Sequence, residues 1–376
     1  HSYLPITQNW IYLQIRFQVT YPSLVLAFQR ENPDQFQTDH LFTLRSMPVG
    51  QQWRDRIAHR LVGYFPSYFR QAKEHNTKLL HAHFGPKGID ALALAQALHV
   101  PLVTSFYGSD MSKHQGELAK LGAQYAQLFD QGTLFLVEGP AAQATLISLG
   151  CPPHKVRIQR LGIDVESFPY APRETAADAP IYVLSAATFT EKKGMAYGIE
   201  AFCQAASEDP RLRLTVVGDA RAIHPEEAII KKQLYELVAK YRMDGRVHFV
   251  GMVPLEQLRQ LGYTHQIFLH PSVTAASGDA EGGSPVVITQ MAALGMPIVA
   301  TRHCDIPQVV LDGETGLLAD ERNVTQLRQA LLVLAADGDL RREMGIRGRK
   351  HIKAHFDARQ QGQRLAEIYR EVMRHS

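Results

Sequence analysis

Short apolar runs alternate with longer amphipathic stretches along this chain, and that alternation predicts an α/β protein with parallel sheets. In the first half, residues 78–83, 101–106 and 133–137 read as strands, and the Ala- and Leu-rich stretch 88–98 reads as a helix. A second series predicts strands over 181–186, 212–217, 247–250, 267–270 and 297–301. Helices are expected over 226–241, 255–261 and 285–294. The pattern pauses near Leu161-Gly162-Ile163-Asp164, and the Pro- and Ala-rich stretch 169–180 has the composition of a linker. Residues 359–374 place Leu365, Ile368, Tyr369 and Val372 on one face of an amphipathic helix. Two doubly wound, Rossmann-like domains facing a central cleft follow, over 1–165 and 166–356, with a terminal helical segment at 357–376. Such a domain normally opens with a buried strand. The start at His1 to Pro5 is abrupt, so the first strand is expected to be missing or short, as in a chain without its natural start.

A length of 376 residues suits two domains, and 45% hydrophobic with 20% charged residues suits a globular protein. No apolar run reaches the roughly 18 residues of a membrane span. The first residues lack the pattern of a signal peptide, which favours the cytoplasm. The three cysteines, Cys151, Cys203 and Cys304, are far apart and read as reduced thiols. A net charge of +3 gives no reason to expect nucleic acid as a partner. Residues 1–165 hold 15 Lys and Arg against 11 Asp and Glu. That is either ordinary scatter or a surface suited to an anionic acceptor or a membrane. The stretch 53–69 sets Arg54, Arg56 and Arg60 among Trp53, Tyr64, Phe65, Tyr68 and Phe69. It reads either as a basic helix lying on anionic lipid, a peripheral contact at the inner face of the plasma membrane, or as a surface helix with its aromatics packed inward.

The chemistry concentrates between His270 and Leu318. A strand end leads through a small, polar loop to Glu281-Gly282-Gly283-Ser284-Pro285 and into a helix. A Gly-Gly-Ser turn feeding a helix offers backbone N–H groups and a positive dipole end, which is a phosphate seat or simply an ordinary helix start. Pro285 suits the first helical turn. Glu281 can accept from sugar hydroxyls. In the first half, His83 ends a strand, as an acceptor-site residue or a satisfied strand-end histidine. Asp110 follows Gly108 at a helix start, as a cap or a sugar contact. His81 and His83 lack a third ligand nearby, and no metal site is expected.

The chain resembles the retaining glycosyltransferases of family 4, which have the GT-B fold. The resemblance rests on Thr190-Glu191-Lys192-Lys193-Gly194, Glu281-Gly282, Gly295-Met296-Pro297-Ile298-Val299-Ala300-Thr301, Ile306-Pro307, the turn Asp312 to Leu318, and Leu161-Gly162-Ile163-Asp164. His83-Phe84-Gly85-Pro86, Phe106-Tyr107-Gly108-Ser109-Asp110 and Pro271-Ser272-Val273-Thr274 are similar to enzymes of bacterial surface and exopolysaccharide assembly. The resemblance implies an acceptor-binding N-terminal domain, a nucleotide-sugar-binding C-terminal domain and a last helix that packs back on the first domain.

It further implies that Lys193 binds the donor diphosphate and that Glu281 grips the transferred sugar. Thr188, Gly282, Gly283, Ser284, Pro285 and Gln290 then fall at donor-binding positions, with His83 and Asp110 on the acceptor side. Three positions depart from the family. Thr188 stands where an Arg is usual, Tyr107 where a His contacts the sugar, and Gln290 in place of the second glutamate, at a spacing of nine instead of eight. The loop Leu4 to Trp10 matches the family's diphosphate-facing loop without its glycine pair. No Asp-x-Asp follows a strand, so the expected chemistry is a metal- and cofactor-free transfer. The donor is a nucleotide-diphosphate-sugar, most naturally a UDP-sugar, and the acceptor a saccharide or lipid-linked saccharide. Two rival readings are a catalytically weakened protein that binds nucleotide-sugar or serves as a partner subunit, and a GT-B epimerase.

Overall fold

The computed structural model describes residues 2–5, 8–112, 115–173, 176, 178–222 and 224–374. The chain divides into two compact units. The first holds residues 1–111, 115–163 and 357–376, and the second residues 112–114 and 164–356.

Up to residue 163 the elements are β1 (Ser2–Tyr3), α1 (Asn9–Phe17), β2 (Val25–Ala27), β3 (Gln29–Arg30), β4 (Leu41–Thr43), α2 (Val49–Val62), α3 (Pro66–Glu74), β5 (Leu80–His83), α4 (Gly85–Leu98), β6 (Leu102–Ser105), α5 (Ser109–Ser112), α6 (Gln115–Gln131), β7 (Leu134–Val137), α7 (Pro140–Ser148) and β8 (Val156–Ile158). The second unit continues with β9 (Ile181–Ala186), α8 (Met195–Glu208), β10 (Leu212–Val217), α9 (Pro225–Lys240), β11 (Val247–Gly251), α10 (Leu255–Thr264), β12 (Ile267–His270), α11 (Val286–Ala293), β13 (Ile298–Thr301), α12 (Ile306–Val309), β14 (Gly316–Ala319), α13 (Val324–Ala336) and α14 (Gly338–His355). The chain then returns to the first unit as α15 (Ala358–Arg374).

In the second unit six parallel strands lie in the order β11-β10-β9-β12-β13-β14. Strand order reverses between β9 and β12, and in such sheets ligands bind beyond the strand ends at that switch. The core below it is continuous, from Val183 and Leu214 in the strands to Phe202, Leu234 and Leu331 in the helices.

In the first unit β5, β6, β7 and β8 form a parallel sheet in chain order. β1 pairs with β3 apart from this sheet. β6 and β7 are buried throughout, as parallel strands covered on both faces must be. Leu92, Phe106, Leu128 and Phe135 fill one face. On the other, Leu365 and Val372 of α15 meet Val103, Leu134 and Leu136, so the apolar stripe read from 359–374 is the docking face. Polar bonds fix the same contact. His81 bonds the Tyr369 hydroxyl through Nδ1 at 2.6 Å and Ser105 Oγ through Nε2 at 2.7 Å.

Two local expectations are corrected. The stretch 53–69 is two helices, because Gly63 adopts φ 81° and caps α2, and Pro66 opens α3. Pro285, with ψ 125°, is the residue before α11 and not part of its first turn. Of the stretch 169–180, residues 174, 175 and 177 lie outside the described residues, and Arg173 is anchored. The Arg173 guanidinium donates to the carbonyls of His265 (2.9 Å), Leu294 (2.8 Å) and Gly262 (2.8 Å), which fastens it to the ends of α10 and α11. No helix among the described residues is long and apolar enough to cross a membrane.

Burial lowers the His83 imidazole to about 4, and burial followed by the neighbouring His83 holds His81 well below its ordinary range. The unfolded chain therefore binds protons that the folded unit refuses, and stability falls as pH drops from about 6.5 to about 4. For His83 this amounts to about 3 kcal/mol at most. Urea unfolding of His83→Gln followed across that range should show a flatter pH dependence than the parent. An identical slope would dissociate His83 from the acid sensitivity.

Candidate functional site

The switch point is built by two loops that touch. The loop after β9 carries Thr188 and a tight turn over Glu191–Lys193, closed by Gly194 at φ 61°. A Cβ at Gly194 would lie 1.8 Å from the Pro271 carbonyl oxygen, so only glycine lets this turn meet the chain leaving β12. Val273 N–H donates to the Lys192 carbonyl at 2.8 Å, and the Glu191 carboxylate accepts Ala276 N–H at 2.9 Å.

This docking sets Lys193 against Glu281. Lys193 Nζ donates to both carboxylate oxygens, at 2.8 and 2.9 Å, and the Ser272 hydroxyl donates to Oε1 at 2.8 Å. The Glu281 side chain is only 7% exposed. Burial alone would raise its carboxyl, but Lys193, His270 and Lys192 outweigh that and hold it well below the usual carboxylate range. Lys192 also bonds Asp279 (3.2 Å) and the Ala280 carbonyl (3.2 Å). Two cations thus face two carboxylates of one short segment, Asp279 and Glu281, in a charge-balanced cluster.

A further layer holds Glu281 from behind. Its N–H donates to His303 Nε2 at 3.2 Å, which places the ring proton on Nδ1, where Glu321 accepts it at 2.6 Å. Glu321 also accepts Thr274 N–H at 2.8 Å. Burial opposes the Glu321 charge, and the His303 and Thr274 hydrogen bonds overcome it, so its carboxyl is lowered. Around this frame the hydroxyls of Thr190 and Ser284 and both ring nitrogens of His270 are buried without a hydrogen-bond partner. Buried polar atoms are usually paired, so these four are open to a ligand, a water or an ion. His270 Nε2 lies 3.9 Å from Glu281 Oε1, too far for a bond.

Gly282 turns at φ 80°, and the Gly283 carbonyl accepts Asp305 N–H at 3.3 Å. Gln290 is buried within α11, and Thr188 is half-buried. The structure therefore gathers Lys193, Glu281, Gly282, Gly283 and Ser284 at one place, with Thr188, Pro285 and Gln290 on the flanking loop and helix.

The first unit assembles a separate cluster. Tyr107 lies two residues past β6, and its hydroxyl bonds His83 Nδ1 at 2.6 Å and accepts from Gln14 Nε2 at 3.3 Å. Burial pushes its phenol above the ordinary range. The ring lies 4.1 Å from Trp10, centroid to centroid. The Asp110 carboxylate accepts N–H groups of Gly85 (2.9 Å), Tyr107 (3.0 Å) and Gly108 (3.0 Å). These bonds tie the start of α4 to the turn before α5. Of the loop Leu4 to Trp10, residues 6 and 7 lie outside the described residues.

Sequence reasoning missed Ser272, His303 and Glu321, and gave His270 no role beyond marking a strand end. A positional signal was available. Ser272, His303 and Glu321 each stand two residues past the end of β12, β13 or β14, and His270 ends β12. Those positions line the mouth of a parallel sheet.

Two family models match in tandem: Glycosyltransferase Family 4 over residues 21–167 and Glycosyl transferases group 1 over residues 169–351. The chain is 30% identical over 323 residues to the Escherichia coli (strain K12) protein named as the colanic acid biosynthesis glycosyltransferase WcaL, covering 85% of this chain and 75% of that one. It is 33% identical over 255 residues to the amylovoran biosynthesis glycosyltransferase AmsK of Erwinia amylovora, covering 67% and 60%. A similar fold occurs in Anabaena Alr3699/HepE, solved in complex with UDP, with a TM-score of 0.78 at 17% identity over 98% of both chains.

The buried ion pair yields a stability test. Lys193→Met strands the Glu281 carboxylate and should cost about 3 kcal/mol in urea unfolding. Adding Glu281→Gln should recover most of that loss. Additive losses in the double variant would mean that the two side chains are not energetically coupled.

Proposed function

The chain belongs to glycosyltransferase family 4, with the GT-B fold of two Rossmann-like domains, and from that premise we propose that it is a retaining glycosyltransferase that moves a sugar from a UDP-sugar to a saccharide or lipid-linked saccharide in exopolysaccharide assembly. The single observation that carries the reading is the Lys193–Glu281 pair at the switch point of the second sheet. The UDP bound by Alr3699/HepE and the polysaccharide pathways in the names of WcaL and AmsK agree with it.

In this reading Lys193 meets the diphosphate and neutralises the charge that grows on it as the glycosidic bond breaks. The Gly283 and Ser284 end of the turn contributes N–H groups and a hydroxyl. Glu281 is then released from part of its pairing with Lys193 and accepts from hydroxyls of the transferred sugar. Gln290 bonds the ribose as a neutral amide. Lys193 and the helix end together supply the positive charge that a divalent cation would otherwise provide, so transfer needs no metal. This reading assigns no covalent nucleophile. The acceptor hydroxyl attacks the face from which the phosphate departs, its proton passes to that phosphate, and the anomeric configuration is retained. In the first unit Tyr107 bonds His83 and is a poor base at neutral pH.

Radiolabelled UDP-sugars incubated with the chain and lipid-linked oligosaccharide should give a labelled product whose anomeric configuration, read by NMR, matches the donor. Lys193→Ala should lower that turnover by about 10²–10³-fold, and chelation of divalent metals should leave the parent rate unchanged. Full activity in Lys193→Ala would remove Lys193 from the site. Isomerised donor without acceptor would favour an epimerase, and binding without turnover a partner subunit.

A further inference from the structure

Helix α2 is built inside out. Its inward face is polar. The Asp55 carboxylate is buried and accepts from Ser67, through N–H at 3.0 Å and through the hydroxyl. Gln52 donates to the Met47 carbonyl at 2.8 Å, and His59 stacks on Phe65 with ring centroids 4.3 Å apart. Its outward face is apolar. Val49, Trp53, Ile57 and Leu61, spaced four apart on one ridge, are 69, 61, 57 and 81% exposed. In a helix whose only solvent were water these four would turn inward. The inward aromatic packing expected for this stretch holds for the half-buried Tyr64, Phe65, Tyr68 and Phe69, which lie past the Gly63 break, and not for Trp53.

Charge identifies the covering surface. Exposed Arg56 and Arg60 flank the apolar ridge on one side and exposed Arg54 on the other, while the helix's one carboxylate, Asp55, is turned away and buried. A second copy of this face would bring arginines against arginines. An anionic bilayer surface matches both features, taking up the four apolar side chains and pairing its phosphates with the guanidinium groups. We propose that α2 is a membrane-docking helix, lying flat on anionic lipid with the ridge Val49-Trp53-Ile57-Leu61 sunk into the headgroup region. This inference stands independently of the reaction assigned to the protein.

Co-sedimentation of the full chain with vesicles tests it. The chain should pellet with equimolar phosphatidylcholine and phosphatidylglycerol, less as salt rises, and not with phosphatidylcholine alone. Trp53→Ala with Ile57→Ala should weaken partitioning by about tenfold or more, and Arg60→Gln by about fivefold. Both changes lie on exposed positions, so urea unfolding should show parent-like stability. Three results would overturn the proposal: no pelleting with anionic vesicles, equal pelleting of parent and Trp53→Ala/Ile57→Ala, or a lipid-free dimer that the same double variant converts to monomer.

Discussion

One steric constraint orders the second unit's site: the backbone of Gly194 passes so close to the Pro271 carbonyl that no side chain fits between them. Everything chemical at the switch point follows from that approach. It brings the loop after β9 onto the chain leaving β12, aligns Val273 with Lys192, and puts Lys193 within reach of Glu281. Two loops belonging to different strands thereby behave as one rigid seat. Such a seat can oppose charge to charge without paying for reorganisation each time a ligand arrives.

The electrostatics of the seat are layered. Glu281 is held ionised because the lysines, Lys193 foremost, outweigh its burial. Its main chain is held by His303, and His303 is oriented by Glu321. Each group thus fixes the next, from an outer carboxylate through an imidazole to the innermost carboxylate. The unpartnered atoms of Thr190, Ser284 and His270 are the exception to this satisfaction. They occur where a ligand's polar groups would be needed, while structural carboxylates such as Asp110 have their oxygens filled by backbone N–H groups.

Much of this was legible in the chain. Strand periodicity located Ile181–Ala186, Leu212–Val217 and Ile267–His270 to the residue, because fully buried parallel strands are short apolar runs with sharp ends. Glu281 was read from the Gly-Gly-Ser turn that follows it into a helix, whereas Lys193 was reached only through the family resemblance. His303 and Glu321 stayed hidden because their partners are distant in sequence and no local pattern announces them. The break in 53–69 was written in Gly63 and Pro66, but the interleaved arginines and aromatics suggested a single helix. The inverted polarity of α2 was illegible for another reason: a periodicity shows that a helix has two faces, and only the fold shows which is turned inward.

The return of α15 has a consequence for how the molecule comes into being. The second unit is almost continuous in sequence and holds nearly all of its own core. The first is not: one face of β6 and β7 is covered by Leu365 and Val372, and His81 is bonded by Tyr369, a partner 288 residues later. During synthesis the earlier-made unit keeps an apolar sheet face bare until the last helix has emerged, whereas the later-made unit can close first. The usual N-terminal-first order of domain maturation is reversed. The seventeen-residue helix α15 is a fastening that completes a unit begun more than three hundred residues before.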